Sequence, residues 1–451
     1  MGMAAKVDLI RALVRPVAGD EKRIGLSVLS VGLVGMLTLL APHGAAQSPP
    51  QVVTIYSFAG APNDGANPQA RMTYKDGVLY GTTYGGGLDN WGSVFSLSPP
   101  ASPGDPWSEQ LLYSFSGGAD GALPGGLPLV GPRGVLAGTT TLGGTAGLGT
   151  VFALRPPSAG GGVWTEQVLY SFLGNASGDG EQPVGPLVEN AGVLYGTTAF
   201  GGALAGGTVF SLVAPGSPDT AWTERILYSF PSGAGGFFPY ALVVGNGGVL
   251  YGTTKFGGSG TCGSGGSGCG TVFSLTPPGS ADGAWTPQVL YSFQGGNDGE
   301  QPYAHIIDSD GVLYGTTLYG GGGPCSQGSS GCGTVFSLRP PPSAGGPWTE
   351  RVLHSFTSTD GAQPDALMVA GTRRLLGAAQ LGGLDGYGAI FELGPPLSPE
   401  GAWSQQVLYN FSGGADGGEP VAFALTSSGA IYGATALYGT PGYGTIFQFR
   451  P

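Results

Sequence analysis

From residue 52 onward, short runs of Val, Leu, Tyr, Phe and Thr alternate with stretches of Gly, Pro, Asn and Asp. In one period the runs are 183–188, 192–198, 207–212 and 222–230. Residues of this kind, bounded in this way, form strands. Apolar spacing at 3.6 residues is sustained nowhere, so no helix is expected after the N-terminal segment. Apolar residues occupy both parities of a run, with Val193 and Tyr195 on one face and Leu194 on the other. Both faces of each sheet are therefore expected to be buried, as when sheets stack face to face.

The runs repeat. Gly-Val-Leu-Tyr-Gly-Thr-Thr stands at 77–83, 192–198, 248–254 and 311–317, with weaker copies at 134–140, 374–379 and 429–435. Tyr-Ser-Phe or a variant begins at Tyr56, Tyr113, Tyr170, Tyr228, Tyr291, His354 and Tyr409, in steps of 57, 57, 58, 63, 63 and 55 residues. Four strands in each of seven periods predict an all-β, seven-bladed propeller of four-stranded blades. The innermost strand would be the Pro-x-x-Leu run and the outermost the Trp to Tyr-Ser-Phe run. In that phase the repeat opens with a lone outermost strand, 52–58, and closes at 444–449 without one. The N-terminal strand is expected to complete the last blade, which leaves no open edge. Another all-β solenoid or sandwich array is the alternative, but a solenoid needs polar caps and none is visible.

Position-specific residues sharpen this picture. Gly81, Gly138, Gly196, Gly252, Gly315, Gly377 and Gly433 sit mid-strand, which marks either a bulge or a close backbone approach. Trp107, Trp164, Trp222, Trp285, Trp348 and Trp403 each precede Tyr-Ser-Phe by six residues and read as packing anchors on the outer strand.

At the N-terminus, Lys22-Arg23, the apolar run 24–41 and Gly44-Ala45-Ala46 read as an export signal cut after Ala46. An uncleaved anchor is the alternative. Residues 47–51 would be a linker and 52–451 a single propeller domain. The formal charge is −12, and removal of 1–46, with five Lys/Arg and three Asp/Glu, takes it to −14. So acidic a chain is a poor partner for nucleic acid or an anionic membrane. The cysteines, Cys262, Cys269, Cys325 and Cys332, form two C-x6-C pairs inside Gly/Ser-rich insertions between second and third strands. Export and an even count favour two local disulfides. Metal binding is the alternative, with spacing longer than four-cysteine zinc sites use.

Loops from outermost to innermost strand and from second to third strand share one face. Asp64, Asp120, Asp179, Asp298, Asp360 and Asp416 stand there in Asp-Gly pairs. Such a ring would bind Ca²⁺ or present acids to a ligand, but Asp-Gly is also favoured turn chemistry. The Thr-Thr pairs could offer hydroxyls to a sugar or be ordinary strand residues. Tyr84, Phe200, Phe256, Tyr319 and Tyr438 could stack a ligand or pack between blades. The repeat breaks where Gly235-Gly236-Phe237-Phe238 replaces Asp-Gly, where the cysteine loops lie, and at Arg373-Arg374. The candidate ligand-binding residues are therefore Phe237, Phe238, Phe256 and Tyr319, on the loop face of blades 4 and 5. After residue 46 the histidines are His305 and His354, and no nucleophile elbow, zinc-protease motif or phosphate loop occurs.

The succession Val-Leu-Tyr-Ser-Phe, Asp-Gly, Pro, Gly-Val-Leu-Tyr-Gly-Thr-Thr, Gly-Gly, Gly-Thr-Val-Phe-Ser-Leu resembles the bacterial GloVer (Gloeobacter/Verrucomicrobia-type) tandem repeat proteins over residues 52–449. Leu136-Ala137 and 375–379 depart from it. The resemblance implies export, commonly with a surface-anchoring tail, and supplies no catalytic residues. The expectation is a secreted or periplasmic, monomeric, non-catalytic binding module for a glycan or protein, with no cofactor. A glycosidase- or lyase-like enzyme using paired carboxylates near the central channel and a structural surface or matrix component are the alternatives.

Overall fold

The computed structural model describes residues 50–451 except 70–71, 103, 127–128, 159–161, 216–220, 263–267, 281–282, 304–306, 310, 327–329, 344, 371–372, 399–400 and 427. The expected export signal 1–46, most of the expected linker and His305 lie outside the described residues.

The strands form seven antiparallel sheets, one per sequence period. In blade 3 the order from inside outward is Gly180–Asn190, Val193–Gly201, Ala205–Val213 and Thr223–Pro231. Blade 7 is made from both ends of the chain. Gly418–Leu425, Ile431–Leu437 and Thr445–Arg450 supply three strands, and Gln51–Ser57 pairs antiparallel with Thr445–Arg450 as the fourth, Val52 opposite Phe449. The ring closes as the surplus and missing strands require. The expectation of no helix holds but for four single-turn 3₁₀ segments among the described residues: Pro132–Gly134, Asn175–Ser177, Asn246–Gly248 and Gly296–Asp298.

Burial on both sheet faces follows from what lies between blades. Val209 and Phe230 of blade 3 pack with Leu242, Leu250, Phe273 and Leu275 of blade 4. Across the closure, Phe58 and Phe95 pack with Val421, Ala434 and Ile446. Each Tyr-Ser-Phe phenylalanine meets the third-strand phenylalanine of the next blade. The pairs run from Phe58–Phe95 to Phe411–Phe447, with ring centroids 4.8–5.3 Å apart. Such edge-on pairs contribute about 0.5–1.5 kcal/mol each beyond their buried area.

The mid-strand glycines make that ring possible. Gly196 pairs in regular register with Phe210, and a Cβ on it would lie 2.5 Å from Phe210 Cζ. At all seven positions the same collision falls at 2.1–2.8 Å. Close approach is therefore the reason for glycine, and the bulge lies elsewhere. It falls between third and outermost strands, where Val209 faces Tyr228, Phe210 faces Ile226, and Leu227 is the extra residue. The tryptophans anchor neighbouring blades: Trp107 meets Tyr432, Trp285 meets Tyr195, Trp348 meets Tyr251 and Trp403 meets Tyr314.

One repeated feature is not expected from sequence. Asn67, Leu123, Gln182, Phe238, Gln301, Gln363 and Glu419, each just before the inner-strand proline, all have φ of 54–60°. This left-handed geometry costs about 1–2 kcal/mol for a non-glycine residue. An inter-blade hydrogen bond accompanies it in six copies. The Asn67, Leu123, Gln182, Gln301, Gln363 and Glu419 amides donate to Tyr443, Trp91, Leu148, Cys269, Cys332 and Tyr387 carbonyls of the preceding blade, at 2.8–2.9 Å.

Candidate functional site

The loop face carries the sequence candidates. The Asp-Gly aspartates are engaged in the scaffold. Tyr56, Tyr113, Tyr170, Tyr291 and Tyr409 hydroxyls donate to Asp64, Asp120, Asp179, Asp298 and Asp416 at 2.8–3.0 Å. Backbone amides of Ala59, Ser116, Leu173, Gln294 and Ser412 donate to the same carboxylates at 2.6–2.9 Å. In the sixth copy His354 Nε2 lies 2.9 Å from Asp360 Oδ2. Burial pushes the Asp360 carboxyl up, but hydrogen bonds from His354 and Thr357 outweigh it and hold the group below its ordinary value. Blade 4 has no Asp in this turn, and there Tyr228 stands without this partner, so Tyr and Asp form one structural unit.

The Thr-Thr hydroxyls are buried. The second threonine of each pair meets a third-strand hydroxyl at 2.7–2.9 Å, as in Thr198–Thr208 and Thr254–Thr271. Blade 6 replaces both partners, with Ala379 opposite Ala389. Thr197 Oγ1 donates to the carbonyls of Val184 at 2.9 Å and Tyr240 at 2.8 Å, tying inner strands of blades 3 and 4.

Three of the four candidate ligand residues come together. Phe237 stacks on Phe256 at 5.3 Å, and Phe238 lies edge-on to Phe256 at 6.1 Å and to Phe200 of blade 3 at 5.2 Å. Tyr319 is placed differently, its backbone exchanging hydrogen bonds with Glu300 at 2.9 and 3.2 Å. Phe200 remains 40 % exposed and Phe237, Phe238 and Phe256 are part-exposed, so the patch faces solvent while bridging blades.

Beside it stands a group that sequence reading missed. Tyr240, on the inner strand of blade 4, and Tyr303, directly after Pro302 of blade 5, stack at 4.0 Å. Lys255 Nζ lies 5.0 Å from the centroid of Tyr303, 5.5 Å from Phe256 and 5.7 Å from Phe238. Burial lowers its pKa. Burial also raises both tyrosines, and the charge of Asp365 raises them further. Asp365 is itself buried and accepts from Gln380 Nε2 at 2.9 Å. The available signal was variation within the repeat. The residue after the inner-strand proline runs Gln69, Gly125, Val184, Tyr240, Tyr303, Asp365, Val421. The residue after Thr-Thr or its variant runs Tyr84, Thr141, Ala199, Lys255, Leu318, Gln380, Ala436. Both columns vary freely between fixed neighbours.

Other part-buried carboxyls stand on the outer strands. Glu109, Glu166, Glu224 and Glu350 share one outer-strand position, each with an Oε1 that is buried and unbonded among the described residues. Burial, then the charge of Asp64, Asp120, Asp179 and Asp298 in turn, pushes them up to about 7, 7, 8 and 8.

Both disulfides form within their loops, Cys262–Cys269 and Cys325–Cys332. The Cys269 and Cys332 carbonyls accept the amides of Gln301 and Gln363, so each bridge braces the docking of the next blade. Two disulfides favour an extracellular or periplasmic protein. No helix among the described residues is long and apolar enough to cross a membrane.

No curated protein matches the chain. Among solved structures, the extracellular domain described as that of a hybrid two-component system of B. thetaiotaomicron is similar at TM-score 0.53 and 12 % identity, over 89 % of this chain and 42 % of that one. PorZ, a surface component of the type-IX secretion system of Porphyromonas gingivalis, gives 0.49 and 15 %, over 86 % and 47 %. A protein described as a 6-phosphogluconolactonase from Bacteroides uniformis gives 0.47 and 14 %, over 77 % and 86 %. At such identities the likeness concerns the fold alone. The model of the Gloeobacter/Verrucomicrobia repeat matches residues 45–264 and 322–451. With its repeats set in phase around a closed ring, the chain belongs to the Gloeobacter/Verrucomicrobia repeat family.

Proposed function

We propose that the protein is an exported, non-catalytic binding module that takes a saccharide on the loop face of blades 3–5. One observation supports this most. Variable positions of neighbouring blades bring together Phe237, Phe238, Tyr240, Lys255 and Tyr303, and Val184, Ala199 and Val421 show that folding does not demand those residues. Part-exposed aromatic faces beside a few polar groups are the usual make-up of a small-ligand site. A pyranose ring offers C–H faces to such rings and hydroxyls to Tyr240, Tyr303 and Gln380. The export signal and the disulfides suit a ligand met outside the cytoplasm.

The test is a glycan array probed with residues 47–451, with and without Ca²⁺, beside the double variant Phe237→Ala/Phe238→Ala. Expected are specific hits that do not need Ca²⁺ and vanish in the variant while its melting curve stays cooperative. Absence of hits, hits that require Ca²⁺, or hits the variant retains would contradict the reading.

A further inference from the structure

We propose that the ligand of this patch is an otherwise neutral oligosaccharide bearing one carboxylate, a hexuronate residue, whose charge is read by Lys255 at the blade 4–5 loop face. The inference deepens the saccharide reading and rests on it.

Lys255 is the next-to-last residue of the strand Leu250–Phe256, where the other six copies carry Tyr84, Thr141, Ala199, Leu318, Gln380 and Ala436. No other copy has a charge there. After residue 46 the chain has only two lysines, Lys75 and Lys255. Three ring faces surround its Nζ at 5.0–5.7 Å, and among the described residues it makes no ion pair. Ring faces offset only part of the cost of burying an ammonium, which agrees with its lowered pKa. Asp365, a buried carboxylate, accepts from Gln380 and forms no ion pair with Lys255 among the described residues. Lys255 is thus a half-buried cation that lacks a paired negative charge among the described residues, next to rings that suit a sugar face. A carboxylate on the stacked sugar supplies that charge through a charge-assisted hydrogen bond.

The rest of the molecule limits how acidic the ligand is. The formal charge of −14 on residues 47–451 repels polyanions at long range, and one ammonium neutralises one carboxylate. A single uronate in a neutral chain fits both facts, whereas polyuronate or a sulfated glycosaminoglycan does not.

The test is calorimetric titration of residues 47–451 with a neutral oligosaccharide carrying one terminal glucuronate, with its methyl ester, and with polygalacturonate. The ester keeps the shape and removes the charge. The acid is expected to bind about 10- to 100-fold more tightly than the ester, the range for a hydrogen bond to a charged group. Polygalacturonate should bind more weakly than the acid. Lys255→Met should bring acid and ester to equal affinity, and Lys255→Gln serves as a second variant should the first misfold. Equal binding of acid and ester, with both lost in Phe238→Ala, overturns the carboxylate proposal and leaves the saccharide reading standing. Tighter binding of polygalacturonate also overturns it. No binding of any saccharide overturns both.

Discussion

The four outer-strand glutamates predict that the propeller is more stable in mild acid than in mild base. Glu109, Glu166, Glu224 and Glu350 are raised to about 7 or 8 in the folded chain by burial and by an aspartate of the preceding loop. In the unfolded chain they titrate near the ordinary glutamate value, about 4.3. Between those values the folded state binds more protons. Its stability is therefore full at the acid end, falls as pH rises through 7–8, and is lowest above that window. A tenfold difference in proton affinity between the folded and unfolded chain is worth about 1.4 kcal/mol. These side chains are only part-buried, so solvent screening reduces the effect. We take about 1 kcal/mol per site, or about 4 kcal/mol together, between pH 5 and pH 8.5. At about 2.1 cal/mol/K per residue, a domain of about 400 residues unfolds with about 0.85 kcal/mol/K, so Tm should drop by about 5 °C over that range. The assay is differential scanning calorimetry at matched ionic strength, with the quadruple Glu→Gln variant alongside. Blade 6 already carries Gln405 at this position and blade 4 carries Pro287, so the blade folds with an uncharged residue there. The variant should lose most of the slope. A wild-type Tm that is flat or rises from pH 5 to 8.5, or a quadruple variant with the same slope, would refute the reasoning.

Other consequences are local. Asp179→Asn weakens the acceptor shared by Tyr170 and Leu173 and should cost about 1–3 kcal/mol in denaturant titration, whereas His354→Tyr restores the residue of the other copies and should stay within about 0.5 kcal/mol. Thr198→Ala alone strands the Thr208 hydroxyl and should cost about 1–2 kcal/mol. The double change Thr198→Ala/Thr208→Ala, which copies Ala379 and Ala389 of blade 6, should cost less than the two single changes summed. Gly196→Ala should destabilise by at least about 1–3 kcal/mol, because its Cβ would enter the Phe210 ring; the same denaturant titration reads it.

How much of this was legible depended on whether a feature was repeated and local. The blades and the clasp could be read because Tyr-Ser-Phe and Gly-Val-Leu-Tyr-Gly-Thr-Thr recur in phase and one strand is surplus at the start. The disulfides could be read because each pair closes a single hairpin loop. The residue before the inner-strand proline could not. Alone it is biased to extended geometry, and its left-handed turn accompanies an amide partner on the preceding blade, such as Leu148 for Gln182. The bulge was not localised because Gly196 marks a ring contact, while the extra residue, Leu227, looks like any other apolar strand position. The site was half visible. Phe237 and Phe238 stand out as a break in a motif, but Tyr240 and Lys255 of blade 4 and Tyr303 of blade 5 meet only when those two blades pack.

The most direct measurement of the central claim is hydrogen–deuterium exchange of the protein with and without the best saccharide hit. The account predicts slower exchange in peptides covering 236–241 and 254–258, with little change in the matching segments of blades 1, 2 and 7. Protection spread evenly over the seven blades, or confined to the Asp-Gly turns, would contradict it.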